Sequence, residues 1–409
     1  LCYIIFLAIS FENANADFHE HPASAEVKMK YCFRQRVAFL LVLLMTLQPT
    51  AALAAPATAP PAQDVAGGQL GDFLVLFPTL ARLPAPEWLG DGVRATYASA
   101  SATTAGNNDT DTAGGGAGLM QYDVVATERR TVATYSHFYL DLGDGTVQDS
   151  FSAASVTGAG VGDFWLNPTV LATADDLNID GLAVYHMPYS AAGIDFNAIR
   201  FQYEGDGSTR VWMFDEASGL LLFQRDDVAL ANEAHQLAQM TLAGIRTLKL
   251  PWKAGGPAFT LKQGDGWAYE GAFSTIISGS PVIPLPMRTD ATVIKSRPRW
   301  TLTSNESSFN GQSSGDTSGI TGAGQLFGGI WLPAGALTAR PPRAVIDTDP
   351  LTGATVRFVR ANGAITITES GASWSTALIY DAETGLFIGM HKEMQVGIAT
   401  NIYDLQLVQ

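Results

Sequence analysis

The sequence predicts an all-β protein with two tandem homologous antiparallel β-domains, each a curved sheet, half-barrel or sandwich. Short segments rich in Val, Ile, Thr and aromatic residues alternate with Gly, Asp and Ser turns, as expected for antiparallel strands. In addition, FDEASGLLLF at 214–223 returns as YDAETGLFIG at 380–389. The repeated stretch indicates that the second domain arose from the first by internal duplication.

Residues 29–54 have the pattern of a secretory signal peptide. A basic start at Lys30 precedes an apolar run at 37–47, and Ala-Leu-Ala at 52–54 offers the small residues that signal peptidase accepts. The run is shorter than the ~20 residues that cross a bilayer. We therefore expect an exported protein, periplasmic or extracellular, with no transmembrane segment after cleavage. An uncleaved N-terminal anchor is the alternative.

The residues around this segment are predicted to lie outside the fold. The first methionine is Met29, so residues 1–28 are interpreted as upstream, non-native translation. Residues 55–71 are rich in Pro, Ala and Gly and are predicted to form a flexible linker. Both cysteines, Cys2 and Cys32, precede the predicted cleavage point. The mature chain would then use neither disulfides nor thiolate chemistry.

The composition favours a well-packed acidic protein of two domains. The net charge is −15, while 47% of the residues are hydrophobic and 15% are charged. Such an acidic chain is a poor candidate for nucleic acid or an anionic membrane surface, because phosphate contacts need clustered cations. The chain is also long for a single core.

The clearest element of the first repeat is a three-stranded meander. Apolar and polar residues alternate over 199–204, a Gly-Asp-Gly turn at 205–207 follows, and 209–214 returns. The corner Asp215–Gly219 then leads into a third strand. In such a corner the carboxylate accepts backbone N–H groups and the glycine takes a positive φ. Residues 226–245 are the best candidate for a helix, although the end at Thr241-Leu242 is also compatible with a strand.

The second repeat shows the same order of elements. Its corner, Asp381–Gly385, lies 166 residues after the first corner. Three further pairs of segments follow the same order: Gly-Asp-Gly at 90–92 and 264–266 (an offset of 174), residues 125–136 and 294–305, and the tryptophan segments 164–171 and 330–337. Four pairs in order predict domains at 72–253 and 254–409, joined near 250–258, with seven or eight strands each.

The Asp-x-x-Ser/Thr-Gly-Leu hairpins at 215–220 and 381–386 resemble turns in lipoprotein-carrier-like proteins of the bacterial envelope. Proteins of that kind are strongly curved antiparallel half-barrels, and the resemblance implies the same curvature here. It covers only the hairpin region of each repeat, and it assigns no functional residue.

Two sets of residues are candidates for binding. Trp165 and Trp331 recur at equivalent places before a segment that contains proline, and they either plug the end of each domain or line an apolar cavity. Asp176, Asn178 and Asp180 have the alternate spacing of a calcium loop, although Met187 stands where the bidentate glutamate would be. Structural calcium is the one cofactor that the sequence suggests.

Catalytic patterns are weak. GQSSG at 311–315 matches the G-x-S-x-G pattern around Ser313, but it lies in a polar stretch that we expect to be a loop, with no strand before it and no helix after it. We therefore expect a non-enzymatic exported protein that binds an apolar or polymeric ligand, such as a lipid or glycan. A secreted hydrolase of glycans or esters and a surface or assembly protein are the alternatives.

Overall fold

The computed structural model describes residues 83–104, 112–128, 131–141, 147–157, 160–161, 164–205, 207–230, 234–277 and 284–408. The predicted upstream segment, signal peptide and linker lie outside the described residues. The described strands form two large antiparallel sheets of nine and ten strands and one two-stranded sheet. Both large sheets belong to one compact unit.

The first large sheet contains β1 (Val93–Thr104), β2 (Thr112–Glu128), β3 (Thr131–Asp141), β4 (Val147–Thr157), β7 (Leu182–Ala191), β8 (Ile194–Gly205), β9 (Ser208–Asp215), β10 (Leu221–Ala229) and β11 (His235–Thr247). Its strand order is β4-β3-β2-β1-β11-β10-β9-β8-β7. The small sheet pairs β5 (Gly160–Val161) with β6 (Trp165–Leu166). Helix α1 (Pro168–Leu171) and a 3-10 turn (Ala174–Asp176) follow β6.

The second large sheet contains β12 (Gly266–Ile277), β13 (Leu285–Ser296), β14 (Trp300–Phe309), β15 (Gln312–Gly322), β16 (Val345–Thr348), β17 (Thr355–Ala361), β18 (Ala364–Ser370), β19 (Trp374–Asp381), β20 (Phe387–Val396) and β21 (Ala399–Leu407). Its strand order is β15-β14-β13-β12-β21-β20-β19-β18-β17-β16. Helix α2 (Ala334–Thr338) lies between β15 and β16.

The two sheets share one topology, which confirms the prediction of two tandem antiparallel β-domains. In each, four strands form a meander, the chain leaves through a tryptophan segment and a short helix, and a second meander returns until its last strand pairs with the first. The second sheet has one additional strand, β16. Both sheets have more strands than the seven or eight expected.

The corners are equivalent in detail. The Asp215 N–H donates to the Leu220 carbonyl at 2.9 Å, and the Asp381 N–H donates to the Leu386 carbonyl at the same distance. The tryptophan segment of each repeat packs on the corner. Trp165 forms an isolated antiparallel β-bridge with Leu220, and Trp331 forms one with Leu386. The repeated letters therefore encode a repeated contact between a corner and the segment that packs on it.

Irregularities in the strand pairing are repeated too. Leu222 is skipped in the pairing of β10 with β9, and Ile388 is skipped in the pairing of β20 with β19. Likewise, Val125 is a bulge in β2 and Ile294 is a bulge in β13. Because a bulge changes the register of a strand, its repetition at equivalent positions supports a common origin of the two sheets.

The two Gly-Asp-Gly turns, which are 174 residues apart in the sequence, do not occupy equivalent positions in the two sheets. Arg94 pairs with Asp123 and Gly266 pairs with Thr292, each partner two residues before its bulge, so Gly266 corresponds to Arg94 and the offset is 172. A tyrosine pair fits this offset: Tyr97 donates to the Leu221 carbonyl and Tyr269 to the equivalent carbonyl in β20. Loops of different length account for the shifting offsets.

Two predictions of local structure are wrong. The described part of 226–245 is not helical, because residues 226–229 belong to β10 and residues 235–245 to β11, and the two strands pair with each other. The polar stretch around Ser313 is not a loop, because residues 300–309 and 312–322 form the β14–β15 hairpin. In both cases pairing with neighbouring strands outweighs a weak local preference.

The cores lie on the faces that carry the tryptophan segments. Trp165, Tyr97 and Phe201 belong to the core of the first sheet. Leu248 and Trp252, which follow β11, pack into the core of the second sheet. A smaller cluster joins the sheets, with Val125, Ala126 and Ala133 against Trp300, Leu302 and Ile320. Within the described ranges, no helix is long and apolar enough to cross a membrane.

Candidate functional site

The tryptophans predicted to bind ligand are core residues. Trp165 and Trp331 are 0% and 1% exposed. The Trp331 indole N–H donates to Thr301 Oγ1 at 3.1 Å. Each side chain fills the space between a corner and its sheet, which agrees with the packing alternative. Binding of a ligand at either tryptophan stays a prediction.

The predicted calcium ligands lie on an exposed segment before β7. Asp176 ends the 3-10 turn, and Asn178 and Asp180 follow it on the way to β7. Among the residues that the structure describes, no group of three or more His, Cys, Asp or Glu side chains is arranged to hold a metal ion. Calcium binding here stays a prediction.

The serine pattern lacks the geometry of a hydrolase elbow. Ser313 lies near the start of β15, and its exposed hydroxyl accepts the Gly315 N–H at 3.3 Å. The chain continues as a strand, whereas a nucleophile elbow needs a sharp turn from a strand into a helix. The geometry around Ser313 therefore gives no support for nucleophilic catalysis.

A buried polar cluster, here called the junction, joins the two sheets. It comprises Arg94, Asp123 and Arg246 of the first sheet, with Asp347, Asp349 and Glu369 of the second. Arg94 donates to both carboxylate oxygens of Asp123, at 2.6 and 2.7 Å. Arg246 does the same with Asp347, at 2.9 and 2.8 Å. Bidentate pairs of this kind fix orientation as well as charge.

Asp349 belongs to a third copy of the corner, which the sequence reasoning missed. The letters Asp-x-x-Thr-Gly occur at 349–353, and the Gly353 N–H donates to the Asp349 carbonyl at 2.9 Å. Asp349 Oδ1 accepts the N–H groups of Leu351 and Thr352, at 2.9 and 3.0 Å. A search for the corner pattern alone, without a fixed offset, would have found this copy.

The second oxygen of Asp349 connects this corner to the first sheet. Oδ2 accepts a hydrogen bond from Arg246 at 3.1 Å and lies 3.6 Å from Arg94 Nη1. Burial alone would raise the pKa of Asp349, but hydrogen bonds from the Thr352 and Leu351 N–H groups and the charges of both arginines lower it. Asp349 is therefore a buried carboxylate that stays ionised and binds the second sheet to the first.

Glu369 is the exception in the junction. Its side chain is buried, and burial raises its pKa, although the Arg94 charge opposes the shift. The carboxyl group lines an enclosed cavity of about 10 Å³ together with Arg94, Gln121, Asp123, Tyr135, His137 and Phe327. A cavity of that size has room for about one water molecule. The cavity is thus a site for a proton or a water molecule and is too small for an organic ligand.

Besides the junction, a second candidate site is the apolar face of the second sheet, which carries Tyr269, Phe273 and Leu405. These side chains alternate with exposed ones such as Glu270, Asp404 and Gln406. The opposite face is charged, since Arg288 pairs there with Glu270 and Asp290. One face of this sheet is therefore apolar and the other is solvated.

Aromatic side chains form a row along the apolar face. Tyr380 contacts Phe387 at 5.7 Å between ring centroids, and Phe387 contacts Tyr269 at 5.0 Å. Further along β12, Phe273 contacts Phe309 at 5.4 Å and Tyr403 at 4.8 Å. The row runs from the buried Trp331 end towards the far ends of β12 and β14.

The far end of the row differs from the first sheet. Phe309 and Tyr403 are only partly buried, and the Lys392 ammonium lies 5.7 Å from the Tyr403 ring. By the registers above, the first sheet has Ser101 at the position of Phe273 and Ala238 at the position of Tyr403. The second sheet thus carries bulky aromatic groups at this end where the first sheet has small side chains. Partly exposed apolar groups that cluster on a protein surface make that surface a candidate for binding.

An open cleft of about 530 Å³ lies before β1, lined by Pro86, Leu89, Asp91, Thr127 and Arg299 among others. Arg299 forms an ion pair with Asp91, so the cation in this cleft already has a partner. The Asp91 carboxylate also accepts the Thr127 N–H at 2.9 Å. These contacts join the first sheet to the second and leave the apolar row as the better candidate for binding.

Comparisons with known proteins identify no family. No protein-family model and no curated protein matches the sequence. A protein of unknown function from the DUF3598 family of Nostoc punctiforme is 11% identical, with 78% of this chain and 97% of that chain covered and a TM-score of 0.16. A candidate AttH from Nitrosomonas europaea is 9% identical, with 85% and 98% covered and a TM-score of 0.17.

Isotype 1 transferrin binding protein B from Neisseria meningitidis is 7% identical, with 80% of this chain and 78% of that chain covered and a TM-score of 0.14. Similarities this low carry no argument about the function of this chain. None of the three names refers to a lipoprotein carrier, so the resemblance of the hairpins to that class stays a prediction.

Proposed function

We propose that this protein is exported and binds an apolar ligand, such as a lipid or the apolar part of a polymer, without catalysing a reaction. The binding surface is the far end of the aromatic row, around Phe273, Phe309 and Tyr403. The observation that supports the proposal is the partial exposure of Phe309 and Tyr403 on the face where Tyr269, Phe273 and Leu405 are buried.

The surroundings of the row favour an elongated ligand. The Trp331 end is filled by protein, so a ligand would approach from the ends of β12 and β14. Burying one aliphatic methylene group contributes about 0.8 kcal/mol, so a chain of a few carbons along the row would give measurable affinity. The Lys392 ammonium beside Tyr403 would favour a ligand with a polar or anionic end.

The binding test uses a fluorescent fatty-acid probe with the mature protein. Tyr403→Ser and Phe309→Ser should each weaken probe binding at least tenfold, since each removes partly exposed aromatic area from the row. Ile276→Ser is the matched control, because Ile276 lies on the opposite face of β12 and is 39% exposed. The proposal for this surface would be rejected if both aromatic variants bound the probe as tightly as wild type and native mass spectrometry found no bound apolar molecule.

Export is tested separately on protein isolated from cell fractions of the native host. N-terminal sequencing should give a mature chain that begins at Ala55 and is found outside the cytoplasm. A chain in the cytoplasmic fraction that still carries residues 29–54 would reject the export proposal and leave the binding proposal intact.

A further inference from the structure

We propose that the junction is a proton-dependent latch: Glu369 holds a proton in the cavity between the sheets, and loss of that proton loosens the docking of the second sheet on the first. The inference does not depend on the ligand proposed above. It depends on two observations: a small cavity lined by the Glu369 carboxyl group, and carboxylates that outnumber the arginines around it.

The cavity places Glu369 between groups from several elements. Arg94 of β1 and Asp123 of β2 face it, as do Tyr135 and His137 of β3. Asp349 acts on it from the third corner. The His137 ring lies 6.2 Å from the Trp374 ring of the second sheet, so the wall of the cavity is itself a contact between the sheets.

The carboxylates of the junction outnumber its arginines before Glu369 is counted, although Arg94 and His137 both act on Glu369 as cations. Arg94 and Arg246 supply two positive charges, and their ion-pair partners Asp123, Asp347 and Asp349 already supply three negative charges. An ionised Glu369 would add a fourth negative charge in a buried place. Burial raises the pKa of this carboxyl group, in agreement with a retained proton.

Proton release would act on the contact that joins the sheets. The proton passes from the Glu369 carboxyl group to bulk water and leaves a carboxylate in the cavity. That carboxylate repels Asp123 and Asp349 and competes with them for Arg94. The third corner is then held less firmly on β1 and β11, and water can enter between the sheets.

The sign of the pH dependence follows from linkage. Glutamate has an ordinary pKa of 4.5, and the pKa of Glu369 lies above it in the folded protein. Between these two values the folded protein binds one more proton than the unfolded chain. Raising the pH in that window should increase the unfolding equilibrium constant by up to tenfold per pH unit. Below pH 4.5 the stabilisation is fully present.

The test compares the pH dependence of unfolding in wild type, Glu369→Gln and the exposed control Glu306→Gln. Glu369→Gln should abolish the tenfold-per-unit change, and the control should retain it. Hydrogen exchange at Leu351 and Thr352 should accelerate in wild type as the pH rises, relative to the same N–H positions at Glu383 and Thr384 of the Asp381 corner. The latch is rejected by equal pH slopes in all three proteins or by a constant exchange ratio.

Should Glu369→Gln fail to fold, infrared difference spectroscopy on the wild-type protein decides the matter. A buried protonated carboxyl group gives a carbonyl stretch distinct from that of carboxylates, and this band should disappear as the pH rises through the same window. If the band is absent at every pH above 4.5, Glu369 holds no proton and the latch is rejected. Repeating the titration with added sodium distinguishes proton release from exchange for a small cation, and a slope that vanishes in sodium would also reject the latch.

Discussion

At the scale of single residues, the corner glycines show how one motif meets two environments. Gly219 and Gly385 have φ angles of 73° and 77°, a region that L side chains rarely adopt. A Cβ atom at Gly219 would lie 1.7 Å from the Leu166 carbonyl oxygen, whereas a Cβ at Gly385 would meet its nearest atoms at 3.0 and 3.1 Å. The first corner thus has a steric reason for glycine in addition to the conformational one.

Alanine at these two positions should therefore have unequal effects. We expect Gly385→Ala to lower the free energy of unfolding by about 1–2 kcal/mol, the cost of a left-handed residue. Gly219→Ala should lower it at least twice as much, because the backbone of the tryptophan segment must move as well. Urea denaturation of both variants measures the difference. Equal losses of unfolding free energy in the two variants would show that the segment carrying Leu166 moves at no energetic cost.

The carboxylates of the corners should also respond to pH. Hydrogen bonds from the Thr384 hydroxyl and N–H lower the pKa of Asp381 below its ordinary 3.8. Its stabilising contribution is present above pH 3.8 and is lost as the pH falls through the folded value, the opposite sign from Glu369. Asp381→Asn should flatten the acid limb of the stability curve, measured by thermal unfolding from pH 2 to 5. An acid limb as steep as that of wild type would contradict this assignment.

At the scale of elements, the third corner is the one that changes role. It caps the β16–β17 turn as the other two corners cap theirs, and its carboxylate also reaches Arg246 and Arg94. The Asp381 carboxylate caps the same turn, and among the described residues its hydrogen bonds come from Glu383 and Thr384 and from no arginine. The comparison of Asp349 with Asp381 therefore separates the energy of the turn from the energy of docking.

Asp349→Asn should destabilise more than Asp381→Asn. Asp349→Asn leaves Arg94 and Arg246 with their bidentate partners Asp123 and Asp347, but it removes a charged hydrogen bond between the sheets, which contributes about 1.5–3 kcal/mol. Loss of a turn cap on its own costs about 1 kcal/mol, by analogy with helix caps. Urea denaturation of the two variants gives both values. A difference below about 1 kcal/mol between them would mean that Asp349 does not hold the sheets together.

The elements also show what the sequence could reveal. Alternation was sufficient for β8, β18 and β19, in which burial differs between the two faces, whereas β9, with both faces buried at its end, was predicted from the turns on either side of it. They were insufficient for the β14–β15 hairpin, whose middle is polar on both faces and is fixed by pairing with β13 and by contact with the first sheet. Alternation identifies a strand only where burial differs between its faces.

At the scale of the whole molecule, the duplicated sheets diverge where they meet. The pair Arg94–Asp123 of the first sheet corresponds to Gly266 and Thr292 in the second, and Glu369 corresponds to Tyr203. The sequence revealed the repeat because the corner and the tryptophan of each sheet pack within that sheet. The sequence did not reveal the junction, because Arg94, Asp349 and Glu369 are distant in sequence. Only the packing of one sheet on the other brings them together.

The junction should make the two sheets unfold together. We expect wild type to show one calorimetric transition and Arg94→Met to show two, because the variant leaves Asp123 and Asp349 buried without their shared cation, at a cost of about 3–5 kcal/mol. Arg288→Met is the matched control. Arg288 pairs with Glu270 and Asp290 on the solvated face, where ion pairs contribute at most about 1 kcal/mol.

The glycine variant of the first corner identifies the transitions. In the wild-type background, Gly219→Ala should lower the temperature of the single transition, since a cooperative unit responds as a whole. In the Arg94→Met background it should lower only one of the two transitions, that of the first sheet. A single transition in Arg94→Met would mean that the apolar cluster of Val125, Ala126 and Ala133 against Trp300, Leu302 and Ile320 is sufficient to couple the sheets, with the charges adding orientation but no cooperativity.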